Sequence, residues 1–492
     1  MHQIERFLER PLDIQQAHFD QLLHRGRLTE WGKKYGYADI QNIEQYRERV
    51  PINKYETLFP WIERSLKGEE DILWPGKVEW FSKSSGTTND KSKYIPVTVD
   101  ALEECHFKAG QDMLACYFDQ RPESKLFTGK TLSIGGSHAL NPYFDETRVG
   151  DVSAVLTENL PRFFELMRAP QKEVALMPEW ESKIEAMAND VMDEDITSIA
   201  GVPTWTLVLI RRIFEKKGIT SNNLLDIWPN LELFIHGGVN FEPYRQQFDQ
   251  LIAPNKMSYL DCYNASEGFF AVQNDLSRSD LLLFLDHGIF YEFIPVEDMD
   301  EEHPKTHTLA EVEIGRNYAM LITTNAGLWR YNIGDTVEFT SLDPFKIKIT
   351  GRTKHFMNAF GEEVVVENAE MAIVAAAQAT EAEVSDYTAA PIYFGDNEGG
   401  GHEWLIEFEH QPNDLNRFGE VLDQTIKKLN SDYEAKRTGG MALRAPTVRV
   451  LPKGTFHQWL QSRGKLGGQH KVPRLANERR YVEEILALLG KQ

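Results

Sequence analysis

The amphipathic stretch TWTLVLIRRIFEKKG at residues 204–218 is followed by two β-rich runs, LELFIHGG at residues 231–238 and MSYLDCYNA at residues 257–265. Apolar residues recur at helical spacing in the first stretch, whereas the two runs are short and end in glycine or polar residues. A helical pattern that alternates with short strands predicts an α/β architecture. The flanking sequence extends this pattern in both directions.

The alternation continues from about residue 130 to residue 350. Four further β-rich runs lie in this part of the chain: KTLSIGG at 130–136, GIFYEFIP at 288–295, AEVEIGRNYAMLITT at 310–324 and DTVEFT at 335–340. Residues 1–75 carry apolar residues at helical spacing, and the sequence after KIKITGRTKHF (346–356) indicates a smaller α+β unit. We therefore predict a large amino-terminal domain at 1–350 and a small carboxy-terminal domain at 351–492.

The composition is that of a folded protein with more than one core. The chain has 492 residues, of which 41% are hydrophobic and 26% charged, and its formal net charge is −22. Such a surface repels nucleic acid and anionic lipid, so we expect neither as a partner. No stretch is apolar over the length of a membrane span, the first residues lack the apolar core of a secretory signal, and three cysteines cannot form a disulfide framework. We expect a cytoplasmic monomer.

One segment departs from the acidic average. Residues 436–477, here called the basic segment, contain no Asp or Glu, where the average of the chain predicts about six. Its basic residues are Lys436, Arg437, Arg444, Arg449, Lys453, Arg463, Lys465, Lys471 and Arg474. The segment either binds an anion such as a polyphosphate or packs against acidic parts of the chain, and the charge pattern alone favours neither.

Several short motifs could hold a nucleotide. The sequence SSGTT at residues 84–88 stands between two predicted strands, where hydroxyls and backbone N–H groups can surround phosphate oxygens. It lacks the Walker pattern, and a flexible polar turn is the alternative. In YNASE at residues 263–267, Glu267 could bind magnesium and Tyr263 could stack on adenine; the alternative is a strand end with an aromatic plug.

Four weaker motifs lie elsewhere in the chain. Asp335, in GD at the end of TTNAGLWRYNIGD (323–335), could bind ribose hydroxyls, and the glycine pair Gly237–Gly238 could let backbone approach a planar base. Gly351–Arg352 and the glycine-flanked lysines of GKLGGQHKVPR (464–474), inside the basic segment, are two further candidates. The alternatives are a β-turn at Gly334–Asp335, a tight turn at the glycine pair, a loop arginine paired to a carboxylate at Arg352 and a solvated basic turn at 464–474.

The order and spacing of these motifs are more specific than any one of them. SSGTT, then GG, Y-x-x-S-E, GD, GR and a late glycine-flanked lysine resemble the acyl-adenylate-forming superfamily. Within it, the chain resembles the Gretchen Hagen 3, or auxin-responsive promoter, family of acyl acid amido synthetases. Besides SSGTT, the matching stretches are YEFIP (291–295), TTNAGLWRYNIGD (323–335) and PKGTF…SRG…KVPR between residues 452 and 474. The resemblance extends from about residue 80 to about residue 475.

The resemblance implies a large adenylate-forming domain and a mobile carboxy-terminal lid, with ATP and magnesium between them. It implies that the phosphates are held by Ser84, Ser85, Thr87 and Thr88. It further implies that the rest of the nucleotide is held by Gly237, Gly238, Tyr263, Ser266, Asp335 and Arg352. Glu267 is then the magnesium ligand and Lys471 the catalytic lysine of the lid, although Lys465 also matches the last motif of the superfamily.

Two residues depart from the family pattern. Asp90 stands where many relatives have glycine, and Asn332 replaces an arginine before Gly-Asp, for which Arg330 is a candidate substitute. The resemblance implies adenylation of a small carboxylic acid, followed by transfer of the acyl group to an amino acid through an amide bond. A thiol acceptor such as coenzyme A and an inactive nucleotide-binding regulator are the alternatives. The acid and the acceptor cannot be named from the sequence.

Overall fold

The computed structural model describes residues 9–85, 92–139, 147–221, 223–239, 241–253, 255–299, 301–352, 356–393, 400–440, 442–463 and 472–489. Its helices are α1 (Pro11–Gly26), α2 (Glu30–Tyr35), α3 (Ile43–Arg49), α4 (Tyr55–Leu66), α5 (Lys108–Gln120), α6 (Val152–Glu158), α7 (Arg162–Leu166), α8 (Lys172–Ala175), α9 (Trp180–Val191), α10 (Pro203–Lys217), α11 (Glu242–Leu251), α12 (Val366–Ala379), α13 (Leu415–Leu429), α14 (Ser431–Arg437), α15 (Thr455–Ser462) and α16 (Arg480–Leu489). A π-helix, Ala101–Phe107, leads into α5.

The strands are shorter and lie mostly between residues 80 and 365. They are β1 (Trp80–Ser85), β2 (Ser92–Val97), β3 (Lys130–Ile134), β4 (His138–Ala139), β5 (Arg148–Gly150), β6 (Arg168–Ala169), β7 (Ile196–Gly201), β8 (Leu233–Gly237), β9 (Ser258–Ala265), β10 (Gly268–Val272), β11 (Leu281–Leu283), β12 (Ile289–Pro295), β13 (Asn317–Thr324), β14 (Tyr331–Leu342), β15 (Phe345–Arg352), β16 (Phe356–Met357), β17 (Val364–Val365), β18 (Glu383–Ile392), β19 (Gly401–His410) and β20 (Thr447–Leu451).

Within the described residues, the main sheet has eleven strands in the order β12-β13-β14-β15-β11-β10-β9-β8-β7-β3-β6. The strands from β6 to β9 run parallel, and those from β9 to β12 are joined by antiparallel pairs. Every residue of β10 and β12 is buried, which is why these strands read as continuous apolar runs. The predicted α/β fold is confirmed.

Helix α10 shows how local sequence signals set where an element begins and ends. It begins with Pro203 in its first turn, where a missing N–H costs nothing, and it ends at Gly218 in the left-handed region with φ of +63°. Trp205, Leu209 and Ile213 are buried at helical spacing along one face. The helix therefore packs its apolar face while its boundaries follow from proline and glycine.

The helices predicted before residue 75 are present from residue 9 onward and cover the antiparallel end of the main sheet. Phe19 of α1 contacts Phe290 of β12, with ring centroids 5.0 Å apart. Gln15, also in α1, bonds the outer edge of β12 and the segment before it: its amide nitrogen donates to the carbonyls of Ile289 and of Leu285, which precedes β12, and its oxygen accepts from Tyr291 N. The amide side chain thus satisfies backbone groups that an edge strand leaves unpaired.

The chain after residue 356 forms smaller sheets, among them β18-β19-β20, which packs against α12 and α13. Trp404 of β19 and Phe418 of α13 belong to the same buried cluster as Trp205 of α10 and Phe360. One continuous apolar cluster therefore joins the carboxy-terminal part to helices beside the main sheet. Across the described residues, none of the helices combines the length and apolarity needed to cross a bilayer.

Candidate active site

The SSGTT motif begins in a β-hairpin, as its flanking strands predicted. Strands β1 and β2 pair antiparallel, with Ser84 opposite Lys93 and Ser85 opposite Ser92, so residues 86–91 connect the two strand ends. The side chains of Ser84 and Ser85, and all of Thr87, Thr88 and Asp90, lie outside the described part of the structure. We call β1, β2 and their connection the phosphate hairpin.

A hydroxyl contact joins the phosphate hairpin to the YNASE motif. Ser82 Oγ of β1 donates to Ser266 Oγ over 2.9 Å. Ser266 and Glu267 form the turn between β9 and β10, and Glu267 is half-buried there. Carboxylate and hydroxyl oxygens are the ligands that magnesium prefers in proteins. The turn therefore offers a suitable magnesium ligand beside the hairpin that would hold phosphate.

Tyr263 and Asp335, which are 72 positions apart, meet at the carboxyl end of β9. The Tyr263 hydroxyl donates to Asp335 Oδ2 over 2.5 Å, and both residues are buried. The Tyr263 ring also packs on Phe270, with centroids 4.8 Å apart. Across the sheet, Asp335 of β14 stands opposite Arg352 of β15, whose side chain is outside the described residues. The backbones of three predicted nucleotide residues thus lie together on the main sheet, at the ends of β9 and β15 and near the start of β14.

The glycine pair lies at the end of β8, the strand next to the one that carries Tyr263. Gly237, the last residue of β8, stands opposite Cys262 in β9, and a Cβ at Gly237 would lie 2.4 Å from the Cys262 carbonyl oxygen. Only glycine fits there, because the backbones are so close. Gly238 has φ of +76°, and its carbonyl accepts a hydrogen bond of 2.9 Å from Asn358 Nδ2 in the carboxy-terminal part. The two parts of the chain therefore meet at the glycine pair.

The sequence suggested Arg330 as a substitute for the arginine that relatives carry before Gly-Asp. That expectation is wrong. Its guanidinium is buried and forms a two-point ion pair with Glu292 of β12, at 2.9 and 3.0 Å. It also donates to the Val50 carbonyl over 2.7 Å. These contacts commit its donors to the packing of α3 against the sheet.

Most described cations of the basic segment have acidic partners. Arg437 pairs with Asp423 at 2.8 Å, and Lys453 pairs with Glu409 at 2.8 Å. The same pattern holds for three further ion pairs: Arg449 with Glu403, Arg463 with Glu484, and Arg474 with Asp386. For these residues, packing against acidic parts of the chain is confirmed as the explanation of the charge pattern. Lys465 and Lys471 are not among the described residues.

Sequence reasoning missed a polar cluster that surrounds the turn after β3. Lys183 of α9 is fully buried, and its ammonium donates to the carbonyls of Gly135 and Gly136 over 2.7 and 2.8 Å. Asp151, which precedes α6, accepts from Ser137 N over 2.9 Å, and burial raises the pKa of this carboxyl. The two glycines after KTLSI were the only sequence signal of this turn, since its partners are distant in the chain.

Comparison with known proteins identifies relatives over most of the chain. Residues 1–257 match the GH3 family N-terminal domain, residues 282–352 the central domain and residues 367–480 the C-terminal domain. A jasmonoyl–L-amino acid synthetase of Nicotiana attenuata is 23% identical over 94% of this chain and 90% of its own length. An indole-3-acetic acid-amido synthetase of Arabidopsis thaliana is 22% identical over 95% and 91%, respectively.

Two solved structures share the fold. An acyl acid amido synthetase, GH3.15, superposes with a TM-score of 0.60 at 16% identity, covering 97% of this chain and 93% of that chain. A 2-hydroxyisobutyryl-CoA ligase, in complex with its acyl-AMP and CoA, gives a TM-score of 0.55 at 13% identity, with 98% and 93% covered.

Proposed function

Because the chain belongs to the GH3 family, we propose that it is an ATP-dependent ligase that adenylates a small carboxylic acid and conjugates the acyl group to an amino acid. The observation that carries the proposal is the meeting of Tyr263, Asp335 and the Ser266–Glu267 turn at the end of β9, beside the phosphate hairpin. Relatives named as amino acid synthetases support the same reaction.

The first half-reaction makes a poor electrophile reactive. A carboxylate oxygen attacks the α-phosphorus of ATP, the new O–P bond forms and pyrophosphate leaves. Such a displacement depends on positioning and charge neutralisation. We assign phosphate positioning to the phosphate hairpin, through Ser84, Ser85, Thr87 and Thr88, and ribose contact to Asp335. Glu267 would hold magnesium, which neutralises phosphate charge.

The second half-reaction forms the amide. The neutral amine of the acceptor attacks the acyl carbon, the C–O bond to AMP breaks, and AMP leaves with the electron pair while the amine loses a proton. Water would destroy the adenylate, so the acceptor must be bound in a closed site. We propose that the part after residue 350 closes the site as a lid, with Arg352 at its hinge and Gly237, Gly238 and Ser266 along the nucleotide. The Asn358–Gly238 contact supports this closure.

The cellular setting follows the same proposal. All three cysteines are unpaired, and Cys105 and Cys116 are buried, which suits a reducing compartment such as the cytoplasm. We further propose that the protein acts as a monomer on small-molecule substrates.

An acid panel tests the proposed function directly. The purified protein would be incubated with ATP, magnesium and aromatic, fatty and cyclic acids, while pyrophosphate release and hydroxamate formation with hydroxylamine are measured. We expect release that depends on one class of acid. Products with an amino acid and with coenzyme A supplied together, identified by mass spectrometry, distinguish the amide from the thioester. ATP binding without release for any acid would favour the inactive regulator.

We expect Lys471→Ala to reduce adenylation about tenfold or more, because a charge-assisted contact contributes about 1.5–3 kcal/mol. Lys465→Ala is the matched control, since it removes the same charge from the same glycine-flanked stretch. The measurement is acid-dependent pyrophosphate release at saturating ATP. A larger loss for Lys465→Ala would move the catalytic assignment to that residue.

A further inference from the structure

Lys436 differs from the other described cations of the basic segment. It lies in α14 of the carboxy-terminal part and is only 8% exposed. Among the described residues, no carboxylate lies within ion-pair distance of its ammonium. Burial lowers the pKa of Lys436 to about 8. A buried ammonium without a close counter-ion is costly, and an anion bound beside it would offset that cost.

The side chain of Lys436 lies at the interface between the carboxy-terminal part and the helices beside the main sheet. Its nitrogen lies 5.0 Å from the ring centre of Trp205 and 5.9 Å from that of Trp180. These two indoles stack at 3.9 Å, one on α10 and the other on α9. On the other side is Gly361, where a Cβ would lie 3.3 Å from the ammonium. The ammonium is therefore in place only while the carboxy-terminal part is docked.

The acids around Lys436 lie farther away, and the two best defined have other hydrogen-bond donors. Glu362 accepts from Ala359 N, Phe360 N and His402 Nε2. Asp151, on the amino-terminal side, accepts from Ser137 N. The remaining acids that act on the Lys436 charge are Asp432 and Glu363. None of the four takes the place of a direct counter-ion.

Two further features make this place electropositive. Lys183, fully buried in α9, acts on the same Asp151 as Lys436 does, and burial lowers the pKa of Lys183 to about 8. Helix α10 starts here, with Trp205 as its third residue, and no side chain in the described part of the chain caps its N-terminus. The positive end of a helix of this length favours an anion.

We propose that Lys436, with Lys183 and the N-terminus of α10, binds the carboxylate of the amino acid acceptor. The inference rests on the proposed function. The carboxylate of the acyl acid loses its charge once the adenylate forms, whereas the acceptor keeps its carboxylate throughout. The carboxy-terminal part brings the Lys436 ammonium into place when it docks. A cation in this position suits the acceptor, because the acceptor reacts second and keeps its negative charge. Lys436 is thus a specificity residue for the acceptor.

The test compares acceptors that differ only in the carboxylate. Lys436→Met keeps the aliphatic packing on the indoles and removes the charge; Lys428→Met, on the exposed face of α13, is the control. Each protein receives an accepted amino acid, its amide derivative and hydroxylamine. We expect Lys436→Met to raise the KM for the amino acid about ten- to hundredfold and to change that for the amide less than about threefold. Hydroxamate formation should stay as in the control.

Other outcomes would overturn the inference. Equal losses with the amino acid and its amide would show a structural role for Lys436. A raised KM for the acyl acid in hydroxamate formation would place the ammonium at the other carboxylate. If the wild-type enzyme used the amide derivative as efficiently as the amino acid, the proposal would also be wrong. This measurement does not depend on whether a variant folds. Hydroxamate formation without any amide product would show that the protein adenylates the acid but does not use an amino acid as acceptor. The inference about Lys436 would then be wrong, although adenylation would stand.

Discussion

Glu267→Gln is expected to lower acid-dependent pyrophosphate release on the order of a hundredfold or more. The substitution preserves the size of the side chain but removes the negative charge that a magnesium ligand at the Ser266–Glu267 turn provides. Loss of charge stabilisation in a water-poor site costs several kcal/mol in the transition state. The measurement is the initial rate of release across a magnesium titration at saturating ATP and acid.

A matched control separates this effect from a general loss of negative charge. Glu48 lies exposed on α3, so Glu48→Gln should release pyrophosphate at the wild-type rate. We expect the Glu267→Gln variant to need more magnesium for half-maximal rate. A variant that keeps both the wild-type rate and the wild-type magnesium dependence would remove Glu267 from the site.

Arg330→Met is expected to lower the free energy of unfolding by about 3 kcal/mol, the low end for breaking a buried ion pair, because Glu292 loses its two-point partner but keeps Arg47 at 3.3 Å. The variant also leaves the Val50 carbonyl without the guanidinium donor. Urea unfolding followed by tryptophan fluorescence measures the change. The variant should lose stability while its folded form still binds the nucleotide with unchanged affinity.

Arg417→Met provides the comparison for this prediction. Arg417 pairs with Glu420 at 3.3 Å on the solvent face of α13, where both side chains are more than half exposed. Such a pair contributes about 0–1 kcal/mol, so the control should unfold close to wild type. If Arg330→Met were as stable as the control but bound ATP poorly, Arg330 would belong to the nucleotide site after all.

Much of the fold could be predicted because its signals are local. The runs at LELFIHGG and MSYLDCYNA became β8 and β9, and the amphipathic stretch at 204–218 became α10. Pro203 and Gly218, which bound that helix, are local signals of the same kind. The order of the eleven strands could not be predicted, because β11 and β15 pair although residues 284–344 separate them and the two strands share no sequence pattern.

The candidate site likewise has a part that could be predicted from the sequence and a part that could not. Tyr263 and Asp335 could be found as motif residues, and their strands bring them into contact. The role of Arg330 could not be found, since its partner Glu292 sits inside the apolar run YEFIP, 38 positions away. The charge of the basic segment was visible in the sequence, but only the fold shows that Arg437 has an ion-pair partner and that Lys436 has none among the described residues. Composition records charge, whereas the presence of a counter-ion depends on tertiary contacts.

Gln15 has a consequence for how copies of this chain behave toward one another. The outer edge of a large sheet can recruit a strand from a second molecule and so begin aggregation. Here Gln15 bonds backbone groups of β12, and Phe293 exchanges backbone hydrogen bonds with His307 on the same edge. A foreign strand would have to displace helix α1 and the segment around His307 together. The amino-terminal helix therefore covers a strand edge that could otherwise pair with a second molecule, and it also contributes to the core.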